Sequence, residues 1–293
     1  MDMTTALDKA KSLAFWSRPV LPVQIKGGIT NANFRVDAEG RAYFVRIGDD
    51  IPVHGVMRFN ELAASRAAAA CGLSPSVRHT EPGALIFDFI EAKTFTAEDV
   101  RQRANLERIL DLVRHCHRDM PNAVRGPALI FWVFHVLRDY AHSLKDGESR
   151  HLAALGRLMQ IATDLEHMVG PVDIVYAHND LLPSNFLDDG KRLWLIDWDY
   201  AGFNSPLFDL ANLCSNNEVG AADEIWLLES YFDRRADDGL LRRYHAMKCA
   251  SLLRETLWSM ISEIHSTLDF DYAAYTAENL ARFERAYAEL THR

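Results

Sequence analysis

The sequence predicts an α+β chain of two lobes: a small antiparallel β-sheet with one helix over residues 1–91, and a mainly helical lobe over residues 92–293. Three observations lead there. Before residue 91, short β-like runs alternate with glycine-containing turn signals. After residue 92 the pattern changes to long amphipathic segments. The strand-like pieces in that second part, Ile174 to Ala177 and Leu193 to Ile196, bracket a polar stretch instead of building a sheet of their own.

In the first lobe, Val20 to Lys26, Asn33 to Asp37 and Ala42 to Ile47 read as consecutive strands, separated by Gly27-Gly28 and Glu39-Gly40. The alanine-rich segment from Val56 to Cys71 reads as a helix, with Gly72 placed as its stop. Ser76 to His79 and Leu85 to Ile90 then form a hairpin around Glu81-Pro82-Gly83, completing the order β-β-β-α-β-β. Helices are predicted over Ala97 to Arg118, Ser149 to Val169, Ala221 to Phe232, Leu240 to His265 and Tyr272 to Leu290. The boundary near Glu91 has no Pro/Ser-rich linker, which predicts a short hinge. The Phe131-Trp132-Val133-Phe134 cluster suits core packing, cover over a cleft or a homodimer contact.

Composition narrows the function. A chain of 293 residues with 48% hydrophobic and 25% charged residues has the means for a substantial core. Its formal charge of −9 and pI near 5.7 argue against a nucleic-acid partner and suit a small cationic one. Cys71, Cys116, Cys214 and Cys249 are scattered, as expected of buried thiols in a reducing compartment. The N-terminus lacks a signal-peptide pattern, and the longest apolar run is about half of what a membrane-spanning helix needs. Cytoplasmic residence without membrane insertion is the expectation.

The chemistry lies in His178-Asn179-Asp180-Leu181-Leu182-Pro183-Ser184-Asn185, followed by Leu195-Ile196-Asp197. An acid, an amide five residues on and a second acid at the end of a strand form the order that phosphoryl transfer uses around ATP and Mg²⁺. Asp180 is the candidate base or hydroxyl orienter. Asn185 and Asp197 offer one neutral and one charged oxygen to a hard cation. Asp199 reads as an exposed acid, with a second metal ligand as the other choice. His178 reads as a residue that fixes the loop.

In the first lobe, Gly27, Gly28, Thr30 and Asn31 join two strands where backbone N–H groups approach phosphate. Arg46 ends the third strand and has Glu61 on the following helix as its partner. His117-Arg118-Asp119 copies a catalytic triplet but has Val124 where an amide is required. His115-Cys116-His117 places its members on different helix faces. Both are read as helix-end residues.

These residues resemble the choline/ethanolamine kinase branch of the aminoglycoside-phosphotransferase-like superfamily. The resemblance rests on Gly27 to Asn31 with Val45-Arg46-Ile47, Arg58-Phe59-Asn60-Glu61, His178 to Leu187, Ile196 to Tyr200, Phe208 to Asn212, Leu257-Trp258-Ser259 and Leu268 to Tyr272. It implies a bilobal protein-kinase-like fold, with ATP in the cleft and adenine against a hinge near Phe87 to Glu91, Phe89 and Ile90 included. By the same resemblance Asp180 is the catalytic position, Asn185 and Asp197 are the metal ligands, and Arg46 with Glu61 holds phosphate. It implies a small cationic alcohol as acceptor, choline or ethanolamine first, against Tyr200, Trp258 and Tyr272. The family's pair of tryptophans becomes Glu255 and Trp258 here, and Glu255 suits a primary amine or hydroxylated cation better than a trimethylammonium. Glu218 is a shifted candidate for a further family acid. Other acceptors, such as thiamine or an aminoglycoside, and a catalytically silent nucleotide-binding scaffold are the competing expectations.

Overall fold

The computed structural model describes residues 3–25, 31–266, 268 and 270–292. Helix α1 (Met3–Ser12) comes first, an element the sequence reading did not include. The first sheet then contains β1 (Val23–Gln24), β2 (Ala32–Ala38), β3 (Arg41–Ile47), β4 (Val77–Glu81) and β5 (Ala84–Asp88), in the order β1-β2-β3-β5-β4. Neighbouring strands are antiparallel. Of the expected strand from Val20 to Lys26, Val23–Gln24 forms a short exposed edge and Lys26 lies outside the described residues. Glu39 and Gly40 both have positive φ, 52° and 76°, the left-handed pair that a two-residue hairpin needs to match strand twist.

Strand alternation sorts this lobe into two faces. Phe34, Val36, Tyr43, Val45, Ile47 and Ile86 pack beneath Ala6, Ala10 and Leu13 of α1. The intervening residues Asn33, Phe44, Arg46 and Phe87 line a cleft on the other face. Helix α2 (Arg58–Ala70) follows β3, and its Ala64, Ala67 and Ala68 are buried. It ends in a Schellman motif: Leu73 N–H donates to Ala68 O at 2.8 Å, and Gly72 N–H to Ala69 O at 3.0 Å. Gly72 has φ of 72°, the left-handed turn expected of this stop.

The second part holds α3 (Ala97–Arg101), α4 (Arg103–Ala123), α5 (Val133–Asp146) and α6 (Leu152–Val169). The single helix expected from Ala97 to Arg118 is two, because Gln102 adopts extended backbone and Thr96 with Asp99 caps the first piece. Short strands β6 (Lys93–Thr94), β8 (Phe186–Asp188) and β9 (Leu193–Leu195) form one sheet, and β7 (Val175–Ala177) pairs with β10 (Gly202–Asn204). Helices α7 (Pro206–Asn217), α8 (Ala221–Phe232), α9 (Asp238–His265) and α10 (Tyr272–Thr291) complete the fold. Helix α9, 28 residues long, packs against α5, α6, α7 and α10 and is buried on nearly every side.

The aromatic cluster before α5 belongs to the core. Phe131, Val133 and Phe134 are buried, and the ring of Phe131 lies 5.3 Å from that of Phe208. Its chain also bridges to β10, with Phe131 N–H donating to Phe203 O at 2.9 Å. The four cysteines are free thiols, three of them buried. Among the described residues, no helix is long and apolar enough to cross a membrane.

Candidate active site

The polar loop between β7 and β8 is moulded by α7. Asp209, in the first turn of α7, accepts from His178 N–H at 2.9 Å and from Asn179 N–H at 2.7 Å. His117 of α4 reaches the same carboxylate through Nε2 at 2.9 Å, and its Nδ1 lies 2.8 Å from the Tyr231 hydroxyl. Burial opposes the Asp209 charge, but these hydrogen bonds and the nearby histidines hold its carboxyl below the usual range. His117 is therefore a buried residue positioning the loop, which corrects its reading as a helix-end residue. Asn212, one turn on, accepts from Leu181 N–H at 2.6 Å, and Asn217 donates to Leu181 O at 3.1 Å.

Around this loop, Asn179 at φ 67° and Asp197 at φ 69° take the left-handed backbone that non-glycine residues rarely adopt. The Asn179 side chain anchors its own turn by donating to Tyr200 O at 3.0 Å and accepting from Asn204 at 2.8 Å. His178 Nε2 meets Ile196 O at 2.9 Å, tying the loop to the segment that carries Asp197. These bonds place His178 in the loop-fixing position.

Asp180 projects from this loop with 15% of its side chain exposed. Burial raises its pKa to about 8, with Glu255, Asp197 and Asp199 adding to the shift and Arg254 opposing it. A carboxylate so destabilised is a strong proton acceptor. Asn185 donates to Asp180 O at 2.8 Å, which orients its amide and leaves Oδ1 without a protein donor among the described residues. Ile196 N–H donates to Asn185 O at 3.0 Å, so the amide and the strand leading to Asp197 are fastened together.

Above the loop, Arg46 lies at 7% exposure with its Nη1 directed at three carboxylates: Glu61 at 2.5 Å, Asp197 at 3.0 Å and Asp199 at 3.1 Å. Arg58 joins from the start of α2, donating to Glu61, to Asp199 at 2.9 Å and to Asn31 at 2.9 Å. Asn31 in turn donates to Asp199 at 3.1 Å. Asp199 is thus buried and ion-paired, which overturns its reading as an exposed acid. Burial, then Asp197 and Glu61, raises its pKa against the pull of the two arginines. The Asp197 carboxyl is held below its ordinary value, since Arg46 outweighs the cost of burial.

A cavity of about 280 Å³ lies between the lobes. Phe44, Phe87, Phe89, Ile90, Leu187 and Ile196 give it apolar walls, and Arg46, Asn185 and Asp197 give it a polar end. Flat apolar walls leading to charged groups match the demands of a base and its phosphates. Gly27, Gly28 and Thr30 lie outside the described residues.

Beyond Asp180, Tyr200, Glu255, Trp258 and Tyr272 come together. Trp258 Nε1 donates to the Tyr200 hydroxyl at 2.9 Å, and the Trp258 and Tyr272 rings are 6.3 Å apart. Glu255 is not a free acid: it accepts from Arg254 Nη1 at 3.0 Å and from the Tyr275 hydroxyl at 2.8 Å. Glu218 is the exposed C-cap of α7. The sequence reading missed Arg58, Asp209 and Arg254 as site residues. A charged Arg254-Glu255 pair inside the apolar run from Cys249 to Trp258 was the available signal for the last.

The arrangement defines a class first: a bilobal protein-kinase-like phosphotransferase, with a sheet lobe over a cleft and its acids on loops of a helical lobe. A profile described as choline/ethanolamine kinase matches residues 23–226. The chain belongs to the choline/ethanolamine kinase family, phosphotransferases acting on alcohol groups. It is similar to the structure of a choline/ethanolamine kinase family protein from Mesorhizobium loti, at 28% identity and TM-score 0.78, covering 97% of this chain and 95% of that one. The choline kinase LicA from Streptococcus pneumoniae shares the fold at 22% identity and TM-score 0.80, with 99% of each chain covered. Ethanolamine kinase 2 of Rattus norvegicus is 26% identical over 283 residues, 86% of this chain and 72% of that protein.

Proposed function

We propose that this protein transfers the γ-phosphoryl group of ATP to the hydroxyl of a small amino alcohol of the choline and ethanolamine class. The placement of Asn185 and Asp197 at the polar end of the cleft, with Asp180 bound to Asn185 through its carbonyl and close enough to Asp197 to feel its charge, carries this reading. ATP would place its base between Phe44, Phe87 and Phe89, with its phosphates toward Arg46. The ion pair to Glu61 holds Arg46 in place for that role.

The donor set fits Mg²⁺. Among the described residues Asn185 Oδ1 has no protein donor, and Asp197 keeps 29% side-chain exposure. Few protein ligands, with water and phosphate completing the shell, is the pattern Mg²⁺ favours. When bound, the ion would neutralise charge on the phosphates. The protein's own contribution is to hold the acceptor alcohol in line and to take its proton on Asp180.

The test is ADP formation with a panel of amino alcohols, comparing the wild type with Asp180→Ala. Acceptor-dependent turnover that the variant loses, with ATP binding retained, is the expected result. A variant with near wild-type turnover removes Asp180 from the mechanism.

A further inference from the structure

The acceptor side of the cleft already contains a cation. Arg254 lies on α9 at 2% exposure, its guanidinium carbon 4.3 Å from the centroid of the Tyr200 ring and its Nη1 3.9 Å from Asp180 Oδ1. That is the position on an aromatic face that an acceptor's ammonium would seek. The neighbouring indole is also covered, since His54 stacks on Trp258 with ring centroids 4.9 Å apart. A trimethylammonium would have to displace a buried guanidinium or sit against like charge.

Arg254 is incompletely matched. Nη1 goes to Glu255, but Nε and Nη2, the side-on fork suited to two oxygens, have no hydrogen-bond partner within 3.5 Å among the described residues. The Tyr140 hydroxyl, 1% exposed as a residue, lies against Arg254 and, among the described residues, gives its own proton to no acceptor. Buried donors left without an acceptor are costly, more so when charged, so donors gathered in this way favour an oxyanion. On the Trp258 wall, Ser262 donates its hydroxyl proton to Trp258 O, so His54 Nε2 must donate to Ser262 and His54 Nδ1 is left as an unpartnered acceptor. That lone pair suits an N–H group. Burial, then Arg254 and His265, lowers the His54 pKa to about 3 and keeps the ring neutral.

We propose that Arg254 selects the acceptor: its fork and the Tyr140 hydroxyl receive the carboxylate of a small hydroxy amino acid whose alcohol lies at Asp180, and its charge excludes a trimethylammonium. This rests on the phosphoryl-transfer reading above and departs from its choline-like acceptor. The short span from Arg254 to Asp180 calls for a compact molecule. In the reaction the bond from γ-phosphorus to the β,γ-bridging oxygen breaks, a bond from phosphorus to the acceptor oxygen forms, the hydroxyl proton passes to Asp180, and ADP leaves.

The experiment is steady-state ADP release with L-serine, L-homoserine, ethanolamine and choline, using wild type, Arg254→Met and Tyr140→Phe. The proposal expects kcat/KM for a hydroxy amino acid at least tenfold above that for choline, and Arg254→Met to reverse the preference. Tyr140→Phe, which keeps the charge and the ring, should raise KM for the hydroxy amino acid several-fold more than KM for choline. It keeps the proposal testable if Arg254→Met does not fold. Choline preferred by the wild type, or a Tyr140→Phe effect equal for every acceptor, overturns the assignment while leaving the kinase reading intact. No acceptor-dependent turnover with any of the four, ATP still binding, overturns both.

Discussion

Replacing Asp180 with asparagine should stabilise the protein while disabling it, and the gain should grow with pH. The folded chain raises the Asp180 pKa from 3.8 to about 8, chiefly by burial. A carboxyl raised on folding contributes its full stability below the unfolded pKa and loses it as pH climbs toward the folded one. Full linkage would cost ~5 kcal/mol at pH 8, taking about 1.4 kcal/mol per unit. The side chain keeps 15% exposure and has Arg254 at 3.9 Å, so we expect about half of that. Asp180→Asn should therefore gain ~1 kcal/mol near pH 5 and ~3 kcal/mol near pH 8. At roughly 2 °C per kcal/mol for a chain this size, Tm should rise by ~2 °C and ~6 °C respectively. Scanning calorimetry across that pH range reads the difference, and turnover should fall by about 10²–10⁴. A pH-independent Tm change, or a loss of stability at pH 8, would refute the idea that folding strains this carboxylate.

Arg46→Met leaves Glu61 and Asp199 with Arg58 and takes from Asp197 its ion pair to Arg46; we expect a loss of about 3–5 kcal/mol in denaturant titration and a raised KM for ATP. Asp209→Ala strips three donors of their shared acceptor, and kinetics should show kcat reduced at least about tenfold with a stability loss of ~2–4 kcal/mol. Gly202→Ala would place a Cβ 2.7 Å from Leu129 O, across the backbone bonds that join the chain before α5 to β10. It should cost about 1–3 kcal/mol, measured by the shift of the unfolding midpoint.

Part of the candidate site was legible in the sequence because its groupings are local. Asp180, Asn185 and Asp197 sit within one loop-strand-loop segment, and Arg46 and Glu61 lie on adjoining elements, so spacing alone brought them together. Asp199 was misread because its burial depends on Arg46 and Arg58, more than 140 positions away in the chain. His117 likewise gains its role from Asp209, 92 residues on. The aromatic region beyond Asp180 is assembled from Tyr140, Tyr200 and α9, segments whose mutual placement no periodicity encodes. A pair such as Arg254-Glu255 in an apolar run signals a buried polar contact without naming its partner. The break at Gln102 was missed because the amphipathic pattern runs on across it.

The most direct test is mass-spectrometric detection of the phosphorylated acceptor from ATP, Mg²⁺ and the amino-alcohol panel, with ADP measured in the same samples. Phosphoryl transfer to an alcohol predicts one phosphorylated product per ADP, lost with Asp180→Asn and on chelation of Mg²⁺. ADP formation without any phosphorylated acceptor, or product formation undiminished in Asp180→Asn, would contradict it.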